Sequence, residues 1–432
     1  MAIKYHAMRE LPKKSPYTKG DVFVLIGELF GRGYANGIVD EAKKAGMTII
    51  GTTVGRRDSD NNLRPLTPEE LAEAETTLGG KIINIPLEAG FDMELADDGI
   101  SFSELLKGIK PDAWESFSLD NKRLEQVREK GKARFLKNME TVAAEIRKML
   151  TPDVKILFAH AMAGGIPRAR LFMPILNRVF KGTGDKHLAS KPFWDSDLGK
   201  LCKISFDDVS ADTFKHLLDA TKEIRSTHQA RYTAYGYHGC EVLINGAYTW
   251  QSYTPYLQGW AKIRLEEHAI NARKDGVIAT VYNCPEIQTN SSALFMGVEI
   301  SLYPLLAALA KEGDSGAADE IMTECKSLLK DEVTTEQLLE TADRYLSSPL
   351  LKPFSNLQDW PHHSTKEEME LMLKSSAELI EMNKTSKEIV CTPLSRAVFQ
   401  ATGKLIFHDS WSSEEPVTWL NHDVVAKQIH IA

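Results

Sequence analysis

Cysteine is sparse and carries no pattern: Cys202, Cys240, Cys284, Cys325 and Cys391 stand far apart, with no Cys-x-x-Cys spacing. That argues against a zinc ribbon or a disulfide frame and leads to the expectation of a reducing, cytoplasmic setting. No cluster of His, Cys or carboxylates has metal-ligand spacing, so no metal is expected. Positive charge is not in excess, since 52 Lys and Arg face 60 Asp and Glu for a net charge of −8. Without a basic stripe, nucleic acid is not an expected partner. The most apolar stretch, residues 293–310, is interrupted by Glu299 and Pro304 and reads as a buried helix rather than a membrane span. The opening residues, MAIKYHAMRELPKKS, have no apolar centre followed by small residues and do not read as a secretory signal. Internal repeats and Pro, Gly or Ser tracts are missing too. One elaborated domain over residues 1–432 is therefore expected, with a core at about 18–310 and a helical extension at about 311–395.

What is present is an α/β pattern. The apolar run Val22–Ile26 leads into a glycine turn, then a helical segment from about Tyr34 to Ala45 closed by Gly46, then a second apolar run from Met47 to Val54. Strand, turn, helix and strand in so short a span make a βαβ unit, which calls for a parallel sheet. Further strands are expected at Lys81–Ile85, Asp153–His160, Ala230–Tyr237 and Gly276–Cys284, with helices at Ser118–Leu150, Ala211–Ser226 and Trp260–Arg273. Residues 315–384 read as charged and mostly helical. Gly403–Asp409 reads as a late strand that draws the tail back to the sheet. The fold class is thus a Rossmann-type doubly wound parallel sheet flanked by helices, with helical insertions and a C-terminal extension.

Gly27-x-x-x-Gly31-x-Gly33 sits between a strand and a helix, where a dinucleotide-binding turn belongs. Glycines there let the chain turn sharply and let a pyrophosphate approach the helix N-terminus, whose free N–H groups and dipole favour anions. Gly27, Leu29, Phe30, Gly31, Arg32 and Gly33 are accordingly cofactor-binding candidates. After the second strand come Gly55, Arg56 and Arg57, with no carboxylate for the adenosine ribose. Paired arginines suit a 2′-phosphate, so NADPH is the expected cofactor, with NADH as the alternative.

Reduction of a carbonyl or enone builds negative charge on oxygen. A tyrosine hydroxyl meets that charge, and a lysine holds the nicotinamide ribose and tunes the tyrosine. None of the 12 tyrosines has the usual Tyr-x-x-x-Lys spacing. Tyr253 precedes Lys262 by a longer interval, with Tyr256 as a rival donor before the same lysine. Both follow the fifth strand, on the edge where such sheets place their chemistry.

Gly236-Tyr237-His238-Gly239-Cys240-Glu241, Tyr253 and Gly259-Trp260-Ala261-Lys262 together resemble the enoyl-acyl-carrier-protein reductases. The Tyr253 to Lys262 gap is similar to that of the FabV type. Thr289-Asn290-Ser291-Ser292-Ala293 is similar to that type's substrate-side segment, with the threonine one place nearer the serines. The metagenomic FabMG reductases, related to FabV but distinct from it, are the type most resembled. The resemblance implies hydride transfer from NAD(P)H to a trans-2-enoyl thioester on acyl carrier protein or coenzyme A, with Tyr253 stabilising the enolate and Lys262 on the ribose. It further implies that Tyr237, Tyr256, Thr289 and Ser292 line the acyl site. Backbone contacts to the cofactor fall to Ala163 and Gly164 after the fourth strand and to Ile287 after the sixth. Gly55 departs from the acidic residue of FabV-type proteins, and the N-terminal region and residues 315–384 do not match.

Two rival readings remain at this level. A carbonyl or alcohol oxidoreductase uses the same Tyr and Lys, though ordinarily as Tyr-x-x-x-Lys. A dinucleotide sensor would keep the glycine turn without catalysis. An acidic acyl carrier protein calls for basic residues at the mouth of the site, for which Arg168 and Arg170 are candidates.

Overall fold

The computed structural model describes residues 5–163, 185–236, 239–252, 257–289, 292, 297–355 and 361–432. Eleven strands form among them: β1 (Val22–Ile26), β2 (Thr48–Thr53), β3 (Arg56–Arg57), β4 (Leu63–Arg64), β5 (Lys81–Pro86), β6 (Lys155–His160), β7 (Gln229–Gly236), β8 (Gly239–Ile244), β9 (Ala247–Ser252), β10 (Ala279–Asn283) and β11 (Val417–Trp419). Seven build one parallel sheet in the order β11-β10-β7-β6-β1-β2-β5. This is the doubly wound order: the chain runs outward from β1 through β2 to β5, then returns to β6 on the other side of β1. The reversal opens a crevice at the carboxyl ends of β1 and β6, where such sheets bind ligands.

Every residue of β1 is buried, because both faces of the sheet are covered. Phe23 and Leu25 enter one apolar layer with Ile38 and Val39 of helix Ala35–Lys44 and with Leu394, Val398 and Leu405 of helix Cys391–Ser412. Val22, Val24 and Ile26 enter the opposite layer with Phe135 and Met139 of helix Asn121–Met149, Phe214 of helix Thr213–Ala220 and Leu265 of helix Leu257–Lys274. Residues 316–381 supply helices Gly316–Leu328, Thr335–Leu346 and Lys366–Glu381, started by Ser315, Thr334 and Thr365, whose side chains accept the first free N–H groups. Among the described residues, no helix is long and apolar enough to cross a membrane.

The expected strand at Gly403–Asp409 is not one. Those residues lie inside helix Cys391–Ser412. That helix is buried around most of its circumference, so Leu405, Ile406 and Phe407 are all apolar and the helical period disappears from the sequence. The strand that does return to the sheet is β11, further along the chain and only three residues long. The N-terminal segment lies along it: Trp419 N–H donates to His6 O at 2.9 Å, and Met8 N–H donates to Trp419 O at 3.0 Å.

A second feature is the antiparallel hairpin β8–β9, placed between β7 and helix Leu257–Lys274. It turns at Asn245 and Gly246, both at positive φ (47° and 80°), as a two-residue hairpin requires. Lys262 therefore lies within a helix, Leu257–Lys274, that starts after this hairpin.

Candidate active site

The glycine turn begins at Gly27, at φ +118° and with its Cα close to the backbone of Ala161 and Met162, the segment leaving β6. A side chain there would meet that backbone at 3.2 Å. Gly31 and Gly33 differ. Neither has positive φ, and a Cβ on either would meet nothing within 4 Å. Their missing side chains leave open space beside the turn, as a pyrophosphate cradle needs. Asn36 braces the turn by donating to Phe30 O (2.7 Å) and Gly33 O (3.0 Å). Phe30 and Arg32 project outward and Leu29 is half-buried. Tyr34, just before the helix, donates to Pro285 O at 2.5 Å and stacks on Tyr235, so the turn is tied to the ends of β7 and β10.

At the end of β2 the arginines are not free. Arg56 pairs with Glu28 at 2.9 Å, and Arg57 pairs with the fully buried Glu88 at 2.9 Å. Glu28, inside the glycine turn, also accepts from Thr53 Oγ1 (2.5 Å) and Val54 N–H (3.0 Å). An acid therefore stands at the tip of β2 after all, delivered by the turn instead of by the position after the strand. Its place next to the first glycine was the signal available in the sequence.

Lys262 is buried, 4% exposed, on the face of its helix that also carries Leu265 and Ala269 against the sheet. Burial lowers its pKa to about 8, with only Cys284, just past β10, working the other way. Its charge in turn bears on His160 at the end of β6. The helix is fixed from two sides. Asn283 of β10 donates to Glu266 at 2.6 Å. Asp212 accepts from Arg264 through two nitrogens (2.6 and 2.9 Å) and lies 2.7 Å from His268 Nε2. Asp212 ends a π-helical turn, Asp208–Asp212, of the kind often found at functional sites. Glycine turn, His160 and Lys262 thus line one edge of the sheet around the β1/β6 crevice.

After β10 the chain forms a closed loop. Thr289 N–H donates to Ser292 Oγ (2.8 Å), Ser292 N–H donates to Thr289 Oγ1 (3.0 Å), and Ser292 Oγ donates to Ile287 O (3.0 Å). Both hydroxyls hold the loop in shape, and Ile287 is buried with its carbonyl engaged. Glu286, also buried, accepts from Ser301 at 3.3 Å, and burial pushes its carboxyl up to about 8. Ala163 is exposed on the segment after β6. Of the other expected site residues, Tyr237, Tyr253, Tyr256 and Gly164 lie outside the described residues, as do Arg168 and Arg170.

The sequence model described as "Enoyl-acyl carrier protein reductase FabMG" matches residues 4–429. Among solved structures, the apo form of a FabMG enoyl-acyl carrier protein reductase is 46% identical, with a TM-score of 0.94 over 100% of this chain and 99% of that one. A NADH-bound FabMG structure is 41% identical, with a TM-score of 0.79 over 100% of both chains. No match was found among curated proteins. The chain belongs to the FabMG family of enoyl-acyl carrier protein reductases, oxidoreductases of fatty acid synthesis.

Proposed function

We propose that the enzyme uses a reduced nicotinamide dinucleotide laid from the Gly27–Gly33 turn across the β1/β6 crevice toward Lys262, and that NADH is preferred over NADPH. The bound nicotinamide supplies the hydride. The observation that carries this reading is the coincidence of a backbone cradle open at Gly31 and Gly33 with a buried lysine along the same sheet edge. Turn residues Leu29, Phe30 and Arg32 flank the cradle, while Ala163, Gly164 and Ile287 would offer backbone groups to the cofactor.

Paired arginines after β2 favoured NADPH at the level of sequence. Their pairing with Glu28 and Glu88 supports NADH instead, because a 2′-phosphate would be brought beside the Glu28 carboxylate. A ribose hydroxyl, by contrast, could donate to that carboxylate.

Hydride arriving at the β-carbon of a trans-2-enoyl thioester leaves an enolate. Tyr253, with Tyr256 as the rival, would donate to the enolate oxygen. Lys262, charged below about pH 8, would hold the nicotinamide ribose and lower the tyrosine's pKa. Tyr237 would line the acyl site, with the loop fixed by Thr289 and Ser292 forming its floor. The acyl group is taken to ride on acyl carrier protein, with coenzyme A as the simpler mimic.

The test is crotonyl thioester reduction with each cofactor, in wild type and in Tyr253→Phe, Tyr256→Phe and Lys262→Met. Loss of most turnover in Lys262→Met and in one tyrosine variant, with NADH dissociation measurable in each, is expected. Near-normal rates in Lys262→Met would overturn the assignment.

A further inference from the structure

His160 closes β6, and its ring is a buried polar group, 1% exposed. Nε2 lies 2.8 Å from Thr213 Oγ1. Thr213 has one hydroxyl proton and gives it to Val209 O at 2.7 Å, so toward the imidazole its oxygen can only accept. The ring therefore carries its proton on Nε2. That leaves Nδ1 as a lone pair, buried and without a hydrogen-bond partner among the described residues. A native fold rarely leaves such an acceptor unmatched unless a water or ligand completes it.

The surroundings show where the missing donor belongs. His160 alternates along β6 with Ala159 and so shares the sheet face of Phe158, the face covered by helices Thr213–Ala220 and Leu257–Lys274. Phe214 of the first meets the ring edge to face at 5.4 Å. From the second come the charges that bear on it, Lys262 and then His268, the latter held with Arg264 on Asp212. The flanking strands contribute Ile26 and Ala234, both uncharged. Burial first and the Lys262 cation next lower the imidazole's pKa, with only a contact to its own backbone working the other way, and so keep the ring neutral, as an acceptor must be. The π-helical turn ending at Asp212 ties the two residues together: it orients Thr213, which sets the tautomer, and anchors the helix that carries Lys262.

We propose that His160 is a positioning residue for Lys262: locked as the Nε2–H tautomer by Thr213, it offers its Nδ1 lone pair to a hydroxyl, of a water or of the cofactor ribose, that the Lys262 ammonium also holds. This rests on the reading of Lys262 as the cation of the site. The ammonium acquires a fixed place without a carboxylate, which would neutralise its charge and hold its pKa high.

The test uses the full-length enzyme with His160→Phe, His160→Gln and Thr213→Val, and Lys262→Met in parallel, following kcat/KM for NADH against pH. His160→Phe removes the acceptor and is expected to lose about two- to tenfold in kcat/KM, the scale of one hydrogen bond between neutral groups, and to move the alkaline limb. Thr213→Val keeps the ring but frees its tautomer and should show a smaller loss with the same shift of the limb. His160→Gln, which retains an acceptor, should recover part of the rate. NADH binding without acyl substrate separates the two hydroxyls: a weaker Kd in His160→Phe assigns the ribose, and an unchanged Kd with reduced kcat assigns a water. Inactive Lys262→Met beside His160→Phe and Thr213→Val that keep wild-type rate and pH limb would overturn this inference alone. Active Lys262→Met would overturn the reading beneath it.

Discussion

Gly37 and Gly403 face each other backbone to backbone where helix Ala35–Lys44 crosses helix Cys391–Ser412. A methyl group on Gly403 would lie 2.2 Å from the carbonyl carbon of Gly37, and one on Gly37 would lie 1.9 Å from Phe399 O. The helix that starts at the glycine turn is thereby seated directly on the buried helix Cys391–Ser412. In a free helix, Ala is better than Gly by about 0.5–1 kcal/mol. Here Gly37→Ala is expected to destabilise, by about 1–3 kcal/mol for overpacking, with a Tm lower by a few degrees. Because the displaced helix carries the cofactor turn, KM for NADH should rise as well. Thermal melts and initial rates on Gly37→Ala and Gly403→Ala check both.

Lys262 makes a prediction with two signs. Its folded pKa of about 8 is below the ordinary 10.5, so folding disfavours its charged form. That penalty is fully present below about pH 8, fades as pH rises toward the unfolded value, and amounts to about 3 kcal/mol at 1.36 kcal/mol per pKa unit. Lys262→Met should therefore raise Tm at pH 7 while removing most turnover. In wild type the charged lysine would be the stronger donor to a ribose hydroxyl and the cation that lowers the tyrosine's pKa, so kcat/KM should be level below pH 8 and fall above it. A variant that is inactive but melts higher separates lost chemistry from lost folding.

These residues also mark how far the sequence could be read. The unit from β1 through the glycine turn to β2 was legible because strand, turn and helix are local and each carries its own pattern. The sequence singled out Lys262 by its place after the fifth strand and by the family resemblance, while its burial beside the sheet was not legible there. The hairpin β8–β9 went unread although Asn245-Gly246 is a strong turn signal. Helix Cys391–Ser412 was misread at Gly403–Asp409 because a helix covered on nearly all sides loses its polar face. Contacts between distant positions stayed hidden for a different reason. Glu28 with Arg56, Asp212 with Arg264 and Thr213 with His160 depend on tertiary placement that no local spacing encodes.

Glu28 allows cofactor choice to be tested in both directions. Its carboxylate holds Arg56 and the tip of β2. Wild type is expected to favour NADH over NADPH by about tenfold or more, equivalent to about 1.4 kcal/mol. Glu28→Gln removes the negative charge and leaves the Arg56 cation uncompensated at the tip of β2. The ratio of kcat/KM values should then swing toward NADPH, mainly through KM. A wild-type enzyme that already prefers NADPH would return the arginines to the role their sequence suggested.

Glu286 gives the opposite linkage to Lys262. Burial raises its folded pKa to about 8, so it enters the fold protonated at neutral pH, accepting from Ser301 and lying near a second buried carboxyl, Glu299. The unfolded chain releases that proton near the ordinary carboxylate value. Stability should accordingly fall as pH rises from about 4.5 to about 8 and then level off. Glu286→Gln keeps the shape and the neutral state, so its melting temperature should match wild type near pH 5 and exceed it at pH 8. Pro285 accepts from Tyr34 beside the glycine turn, and wild-type activity at high pH should recover less completely after mild heating than that of the variant. Equal Tm values for the two proteins at pH 5 and pH 8 would show that the carboxyl is already ionised in the fold.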